Sequence, residues 1–527
     1  MPDPYYVTTA ISYPNGPPHI GHAYEAIAAD VIARFQRMRG RDVRFQAGTD
    51  EHGLKMVRKA QEQGRTPREL ADEMSGLFRS MCDALDISYD RFIRTVDADH
   101  HAASQAIWQA MDAAGDLYLD RYEGWYSVRD EAYYDEAELI EGEGGDKLSP
   151  QGTPVEWTQE ESWFFRLSNY AEPLLSLYRD NPDFLQPESR RNEMIAFIEG
   201  GLRDLSISRT SFDWGVKVPG RNGEDTGHVM YVWVDALTNY LTGLGFPDMD
   251  GAMARFWPAN LHLIGKDIVR FHAVYWPAFL MSAGIALPRQ VYGHGFVLNR
   301  GRKESKSEGN VTDPLALADR YGVDSLRYFL MREVPFGKDG SYSDEAIVTR
   351  CNAELANSFG NLAQRSLSMI FKNMEGELDH SLELDRVDEV LLGELRAGCA
   401  TLVERFEALA FSDGLEAWMR AVFACNQYVD EQAPWALRKT DPDRMRAVLM
   451  TLFRAVRSLA IAIRPIAPSS VDRLLDQMGI PADERHYAAL DDTGWFDALC
   501  ASGRRIEKPQ GVFPRLELAE DQREGQG

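Results

Sequence analysis

The strongest constraint on this chain lies in its first fifty residues, where a short apolar run leads through a Pro/Gly/Asn loop directly into an amphipathic helix. Residues 6–11 read as a strand and residues 12–18 as the loop. Ile20, Tyr24, Ile27, Val31, Phe35 and Met38 then recur at the spacing of one buried helix face, and Gly40 stands where a left-handed C-cap ends the helix. Residues 43–49 return as a second strand. The unit is β-α-β, which commits the chain to a parallel sheet with helices packed on it.

At the junction of strand and helix sits His19-Ile20-Gly21-His22. With 11 His and 42 Gly in 527 residues, chance supplies an H-x-G-H about 0.02 times per chain of this length. A helix start just beyond a parallel strand offers unpaired N–H groups and the positive end of the helix dipole to phosphates, and Gly21 leaves room for a nucleotide to approach. Two histidines in this place can also simply cap the helix, and the sequence leaves both readings open.

A second motif, Lys303-Glu304-Ser305-Lys306-Ser307, follows a predicted strand over residues 292–298 and precedes a helix opened by Asp313 and Pro314. Lysines on a loop at the end of a sheet neutralise charge as pyrophosphate departs from ATP. A solvated surface loop is the alternative for such a Lys/Ser/Gly run. The two motifs together point to activation of a substrate by ATP.

The pair resembles the two signatures of class I aminoacyl-tRNA synthetases, and the surrounding text resembles the methionyl-tRNA synthetase family, of the bacterial type without zinc-binding cysteines. Tyr13, Asn15 and Gly16 in the entry loop, the turn at residues 48–53, the stretches at 231–236 and 264–268, and Pro434-Trp435 carry the likeness in the right order. It implies an α/β, Rossmann-like parallel-sheet catalytic domain with an inserted connective domain, followed by an all-α anticodon-binding helix bundle. It also implies methionine-tRNA ligase activity: L-methionine and ATP give methionyl-adenylate and pyrophosphate, and methionine then passes to the terminal adenosine of a tRNA with a CAU anticodon, initiator or elongator. Another class I synthetase of apolar specificity, or a small-molecule nucleotidyltransferase sharing H-x-G-H, is the alternative.

By the same resemblance, His19, His22, Lys303 and Lys306 are the catalytic residues, joined by Gly21, Ser305 and Ser307 in binding ATP, with Mg2+ accompanying the nucleotide. Ile11, Tyr13, Asp50, Trp233, Ala236, Tyr240, Ile268 and His272 would bind methionine, Asp50 as the counter-charge of its ammonium. Apolar and aromatic walls suit a linear thioether. Asn361, Arg365 and Trp435 would meet the anticodon, since an indole and a guanidinium stack on splayed bases; read without the resemblance, Trp435 is a packing residue at a helix end. Glu304 departs from the family's usual methionine, and Leu237 from its more familiar residue.

Length suggests about three domains. The expected layout is a first catalytic half at 1–115, an insertion at 116–215, a second catalytic half at 216–330, a bridging segment at 331–360, the bundle at 361–518 and a disordered tail at 519–527. Helix patterns are clearest in the bundle, led by Val387, Leu391, Leu395, Leu402 and Phe406 in one helix, Leu415, Trp418, Val422, Cys425 and Val429 in a second, and Met445 through Ile463 in a third. The insertion holds no Cys or His, and Ser127 and Asp130 fill the positions that resemble a zinc-binding cysteine pair. No structural zinc is therefore expected, and the knuckle is expected to rest on aromatic packing through residues such as Tyr118, Tyr122, Trp125, Tyr133 and Trp157.

Five scattered cysteines fit a reducing cytoplasm, and no apolar run reaches the roughly 20 residues a membrane span needs. The net charge of −25 runs against a nucleic-acid partner at first sight. Arginines nonetheless gather at positions 438–464, and a local basic surface suffices. A monomer is expected.

Overall fold

A computed structural model describes residues 2–518, apart from 131, 143–144, 221–223, 303–311 and 493. The loop carrying Lys303, Glu304, Ser305, Lys306 and Ser307 and the expected tail at 519–527 thus lie outside the described residues.

Strand β1 (Pro4–Thr9) runs into α1 (Ile20–Met38), and β2 (Asp42–Thr49) returns parallel to β1, with Val7 opposite Phe45. All six apolar positions expected on the inner face of α1 are buried. Gly40 has φ +81°, as its place after the helix requires. Next come α2 (Leu54–Glu62), α3 (Pro67–Ala84), β3 (Arg91–Arg94) and α4 (Ala98–Ala113).

Among the described residues the main sheet is completed by β4 (Leu185–Gln186), β5 (Leu261–Gly265) and β6 (Val291–His294), in the order β3-β2-β1-β5-β6-β4, every pair parallel. The chain steps outward from β1 towards β3 and from β5 towards β6, so the order reverses between β1 and β5. In parallel α/β sheets ligands bind beside such a reversal, at the carboxyl ends of the strands.

Three details differ from the sequence reading. The predicted strand at 292–298 is two strands, because Gly295 lies so close to Lys338 that a Cβ would fall 2.2 Å from its backbone. Phe296 donates its N–H to Asp339 at 2.9 Å, and Val297–Asn299 pairs separately with Gly340–Tyr342. The main sheet does not resume at Val216: Ser208–Arg209, Lys217–Pro219 and Asp225–Met230 form their own antiparallel sheet, and β5 comes later. In α3, where the spacing of Leu70, Met74, Leu77, Met81 and Leu85 predicts one inner face, Leu77 is 39% exposed and Phe78 takes the inner place.

The insertion is built on long antiparallel strands, Leu117–Ser127 and Glu156–Phe165, while Leu185–Gln186 from the same stretch forms the edge of the main sheet. Past residue 343 the described chain is built mainly of helices. Helix α5 (Val232–Thr242) belongs to the catalytic half; α6 (Asn361–Met374), α7 (Arg386–Glu407), α8 (Phe411–Gln432) and α9 (Pro442–Ile463) make the bundle. Trp418 is buried between them and donates its indole N–H to the Leu459 carbonyl at 3.0 Å. Val387, expected inside, is 47% exposed. No helix of the described residues is long and apolar enough to cross a membrane.

Candidate active site

His19 is the N-cap of α1, in extended backbone conformation. Its Nδ1 accepts the Gly21 N–H at 3.1 Å, and His22 Nδ1 accepts the His19 N–H at 3.1 Å. This is a reciprocal capping box in which two imidazoles replace the usual hydroxyl and carboxylate. The rings lie 3.9 Å apart, and His22 meets Phe78 edge-on. Capping does not exclude phosphate handling: an Nδ1 that accepts puts the proton of the neutral ring on Nε2. Gly21 has a further local reason, since a Cβ there would come within 2.9 Å of the His19 ring.

Asp50 follows the last residue of β2. Its N–H bonds to the Ser12 carbonyl at 2.9 Å, and Ser12 N–H bonds to Gly48 O at 2.9 Å, so the entry loop and the Asp50 turn are fastened together. Asp50 is buried. A Cβ on Gly48 would lie 2.2 Å from Ile93 O, which accounts for the glycine before the turn. On the entry loop, Tyr13 OH accepts the N–H of Met56 at 3.0 Å, and the Lys55 ammonium sits 4.9 Å from its ring. Ile11, two residues earlier, is half-buried.

Helix α5 brings Trp233, Ala236 and Tyr240 to the opposite wall. The Trp233 ring stacks on Phe271 at 3.7 Å and meets His272 edge-on. His272 Nδ1 bonds to the Ile268 carbonyl at 2.9 Å, which can only accept, so Nε2 takes the Tyr240 O–H at 2.6 Å. Burial lowers the His272 pKa to about 4, against the opposing pull of the Ile268 carbonyl. The Tyr240 hydroxyl is raised well above its ordinary value by burial. This group of buried rings is consequently uncharged.

Several interacting residues were not singled out as site members by their sequence. Glu25, three residues after His22, pairs with His294 at the end of β6 (2.9 Å). Lys266 pairs with Asp339 (2.8 Å) and lies 4.5 Å from the Phe296 ring. Asp339 thus ties the end of β5 to the segment from which the lysine loop departs. Asp235 pairs with His52. Asp235, Lys266 and His52 fall in stretches that carry the family likeness, but spacing along the chain gives no sign of which partner each meets across the sheet.

In the helical half, Asn361 and Arg365 stand one turn apart on α6. Arg365 lies 5.6 Å from the Trp435 ring and pairs with Asp430 at 3.5 Å. Trp435 is 53% exposed. Ala433 in left-handed conformation and Pro434 at the first helical position turn the chain there, and the indole faces solvent rather than the core. That exposure runs against the packing reading of Trp435.

The knuckle differs from its expected apolar makeup. One carboxylate oxygen of Asp130 accepts hydroxyls from Ser149 (2.6 Å), Thr153 (2.6 Å) and Tyr134 (3.0 Å), while Ser127 and Thr153 hydroxyls meet at 2.7 Å. The centre is polar because the small residues in these turns leave hydroxyls that burial obliges to pair. Aromatic contact remains at the flank, where Trp125 meets Trp157 edge-on at 5.2 Å. The Tyr122 and Tyr133 side chains lie outside the description.

Residues 5–367 match the family model described as tRNA synthetases class I (M), and residues 381–526 match that of the anticodon binding domain of methionyl tRNA ligase. The chain belongs to the methionyl-tRNA synthetase family. It is 55% identical over 518 residues to the methionine-tRNA ligase of Brucella suis, covering 98% of this chain and 99% of that one. Against the Mycobacterium bovis methionine-tRNA ligase it is 54% identical over 519 residues, 98% of each. The structure of Mycobacterium tuberculosis methionyl-tRNA synthetase in complex with methionyl-adenylate superposes with a TM-score of 0.92 at 54% identity, over 97% of this chain and all of that one. The apo form of the same protein gives 0.86 at 51% identity, over 98% and 99%. The two family models fall in turn on the part of the chain that holds the parallel sheet and on its helical part.

Proposed function

We propose that the chain is a methionine-tRNA ligase in which the site beside the sheet reversal between β1 and β5 makes methionyl-adenylate and the bundle reads the tRNA. The observation that carries this is the meeting, at the carboxyl edge of one sheet, of a helix N-terminus bearing His19 and His22, a buried carboxylate on Asp50 and an uncharged pair of buried rings, Tyr240 and His272. Its relatives carry the same assignment in their names.

In the first step a methionine carboxylate oxygen attacks the α-phosphorus of ATP and pyrophosphate leaves. In the second a hydroxyl of the terminal adenosine attacks the acyl carbon and AMP leaves. Neither step needs a protein nucleophile; the site supplies orientation and charge stabilisation. His19, His22 and the N-terminus of α1 with Gly21 serve the ATP phosphates, and Lys303, Ser305, Lys306 and Ser307 the departing pyrophosphate. Mg2+ arrives with ATP. Asp50 holds the ammonium, Tyr13 and Ile11 line the entrance, and Trp233, Ala236, Tyr240, Ile268 and His272 enclose the side chain. Asn361, Arg365 and Trp435 stack on or read the CAU anticodon of initiator and elongator tRNA. The working form is a cytoplasmic monomer, divided at about residues 115, 215, 330 and 360.

The test is pyrophosphate exchange into ATP with each amino acid in turn. Methionine supports exchange, and leucine, isoleucine, valine and cysteine do not. Equal exchange with leucine would leave a class I synthetase of another specificity; exchange without any amino acid would favour a nucleotidyltransferase.

A further inference from the structure

The ammonium-binding turn and the side-chain wall of the methionine pocket come from different parts of the chain, β2 and α5. One buried contact joins them. His52, two residues after Asp50, places Nδ1 3.1 Å from Asp235 Oδ2, and Asp235 lies in the first turn of α5, between Trp233 and Ala236. His52 is 2% exposed and Asp235 not at all.

The surroundings hold this contact in one place. Trp214 meets the His52 ring edge-on at 5.5 Å and donates its indole N–H to the Glu51 carbonyl at 2.6 Å. On the other side, His100 Nε2 lies 3.7 Å from Asp235 Oδ1, and His100 Nδ1 bonds to Thr242 Oγ1, at the far end of α5, at 3.0 Å. His101 stands 5.4 Å from the His52 ring. Burial works to raise the Asp235 pKa, but His52 and His100 outweigh it and keep the carboxyl below its ordinary value. The α5 dipole favours the same charge.

We infer that Asp235 is a positioning residue for methionine: through His52 it fixes the distance between the Asp50 carboxylate and the wall formed by Trp233, Ala236 and Tyr240. Asp235 does not touch substrate. A buried polar contact of this kind adds little net stability over an apolar pair of the same volume, but it does fix one arrangement of the two elements. An amino acid held by its ammonium at one end and its thioether at the other is sensitive to that spacing. The inference rests on the proposed methionine site.

The test is pyrophosphate exchange at varied methionine and varied ATP, with thermal melting alongside, for Asp235→Ala, Asp235→Asn, His52→Ala, the double variant Asp235→Ala/His52→Ala, and Asp50→Ala. Asp235→Ala and His52→Ala should each raise KM for methionine about tenfold with KM for ATP unchanged within about twofold, and the double variant should be no worse than the poorer single one, as for two residues acting as a unit. Asp235→Asn, which keeps one acceptor for His52, should fall in between, and it carries the test if Asp235→Ala does not fold. The inference is overturned if KM for methionine stays within about twofold of the parent, if the two losses multiply, or if both KM values rise together. Asp50→Ala separates the two levels: loss of methionine binding there with normal strut variants overturns the strut alone, whereas normal binding in Asp50→Ala overturns the site on which it rests.

Discussion

Asp30 and Arg327 meet at 2.6 Å with neither side chain exposed, and this pair joins the middle of α1 to the helix Val323–Glu333. The Arg327 guanidinium also donates to the carbonyls of Ile466 and Pro465, just past α9, at 3.0 and 2.9 Å. Ser88 N–H and Arg34 bond to the same Asp30 carboxylate. Burial opposes ionisation of Asp30, but Arg327 and Arg34 outweigh it and hold the pKa below the usual range. The helix that begins at His19 is thus anchored by charge at its centre.

Removing one partner leaves the other buried and uncompensated. Arg327→Met should cost about 3–5 kcal/mol in denaturant unfolding. The Asp30 contribution is present above the ordinary carboxylate pKa and is lost as pH falls through the lower folded value, so the difference between parent and variant should shrink in acid. A loss below about 1 kcal/mol at neutral pH would show that the pair is compensated by other contacts.

His22→Ala and Lys306→Ala should each lower the rate of adenylate formation by about a hundredfold or more, the usual effect of losing one transition-state contact. His22 also accepts the His19 N–H, so its loss should additionally cost about 1 kcal/mol of stability as a lost cap. Single-turnover rates within a few-fold of the parent would remove these residues from the charge-stabilising set.

The elements were legible where periodicity is strong. All the apolar positions read on α1 and α8 are buried, because a helix with one inner face must repeat itself. Legibility failed where the determinant is a contact between distant segments. The break after His294 depends on Lys338 and Asp339 lying against Gly295. The knuckle's polar centre depends on Ser149 and Thr153 reaching Asp130. In the site, the H-x-G-H motif and Asp50 stood out by chemistry and resemblance. Asp235, Lys266 and Glu25 did not, since each acts through a partner at least 70 residues away in the chain.

Trp435→Ala should weaken aminoacylation of a CAU-anticodon tRNA and leave tRNA-free exchange unchanged. The indole is half exposed, with the Arg365 guanidinium 5.6 Å from its ring, so the substitution empties no core. Stacking of one base on an aromatic ring contributes about 1–3 kcal/mol, which sets the expected rise in KM for tRNA at about tenfold. Parallel loss of exchange would mark Trp435 as a structural residue after all.

His272 has a pKa lowered to about 4, below its value in an unfolded chain. Between these two values the unfolded state binds more protons, so stability falls as pH drops from about 6.5 towards 4. The full shift corresponds to about 3 kcal/mol. Thermal melting of the parent should therefore decline over that window more steeply than that of His272→Gln. Methionine binding should hold over that window and weaken only near and below pH 4, where the folded His272 itself takes up a proton, loses the acceptor of the Tyr240 hydroxyl and becomes charged. Identical slopes for parent and variant would show that His272 titrates normally.

The knuckle should keep its shape in chelator, and activity should be unchanged once Mg2+ is restored. A structural zinc site needs four well-placed ligands, typically thiolate or imidazole, and no group of three or more potential ligands is found among the described residues. In their place Asp130 gathers the hydroxyls of Ser149, Thr153 and Tyr134 on one oxygen, and its own N–H bonds to Ser127 at 3.2 Å. Ser127, Ser149 and Thr153 are buried. Asp130→Ala would remove the acceptor shared by three hydroxyls; Ser149 and Thr153 keep each other at 2.8 Å and Thr153 keeps Ser127 at 2.7 Å, so the cost is about 1–3 kcal/mol for a donor left unpaired away from water. Hydrogen exchange should then rise across residues 127–153 while α9 stays protected, because the two regions have separate cores. Elemental analysis should give far less than one zinc per chain in the parent. About one zinc, with activity lost on its removal, would overturn this account; unchanged exchange in Asp130→Ala would mean that the aromatic contact of Trp125 with Trp157 holds the knuckle without the polar centre.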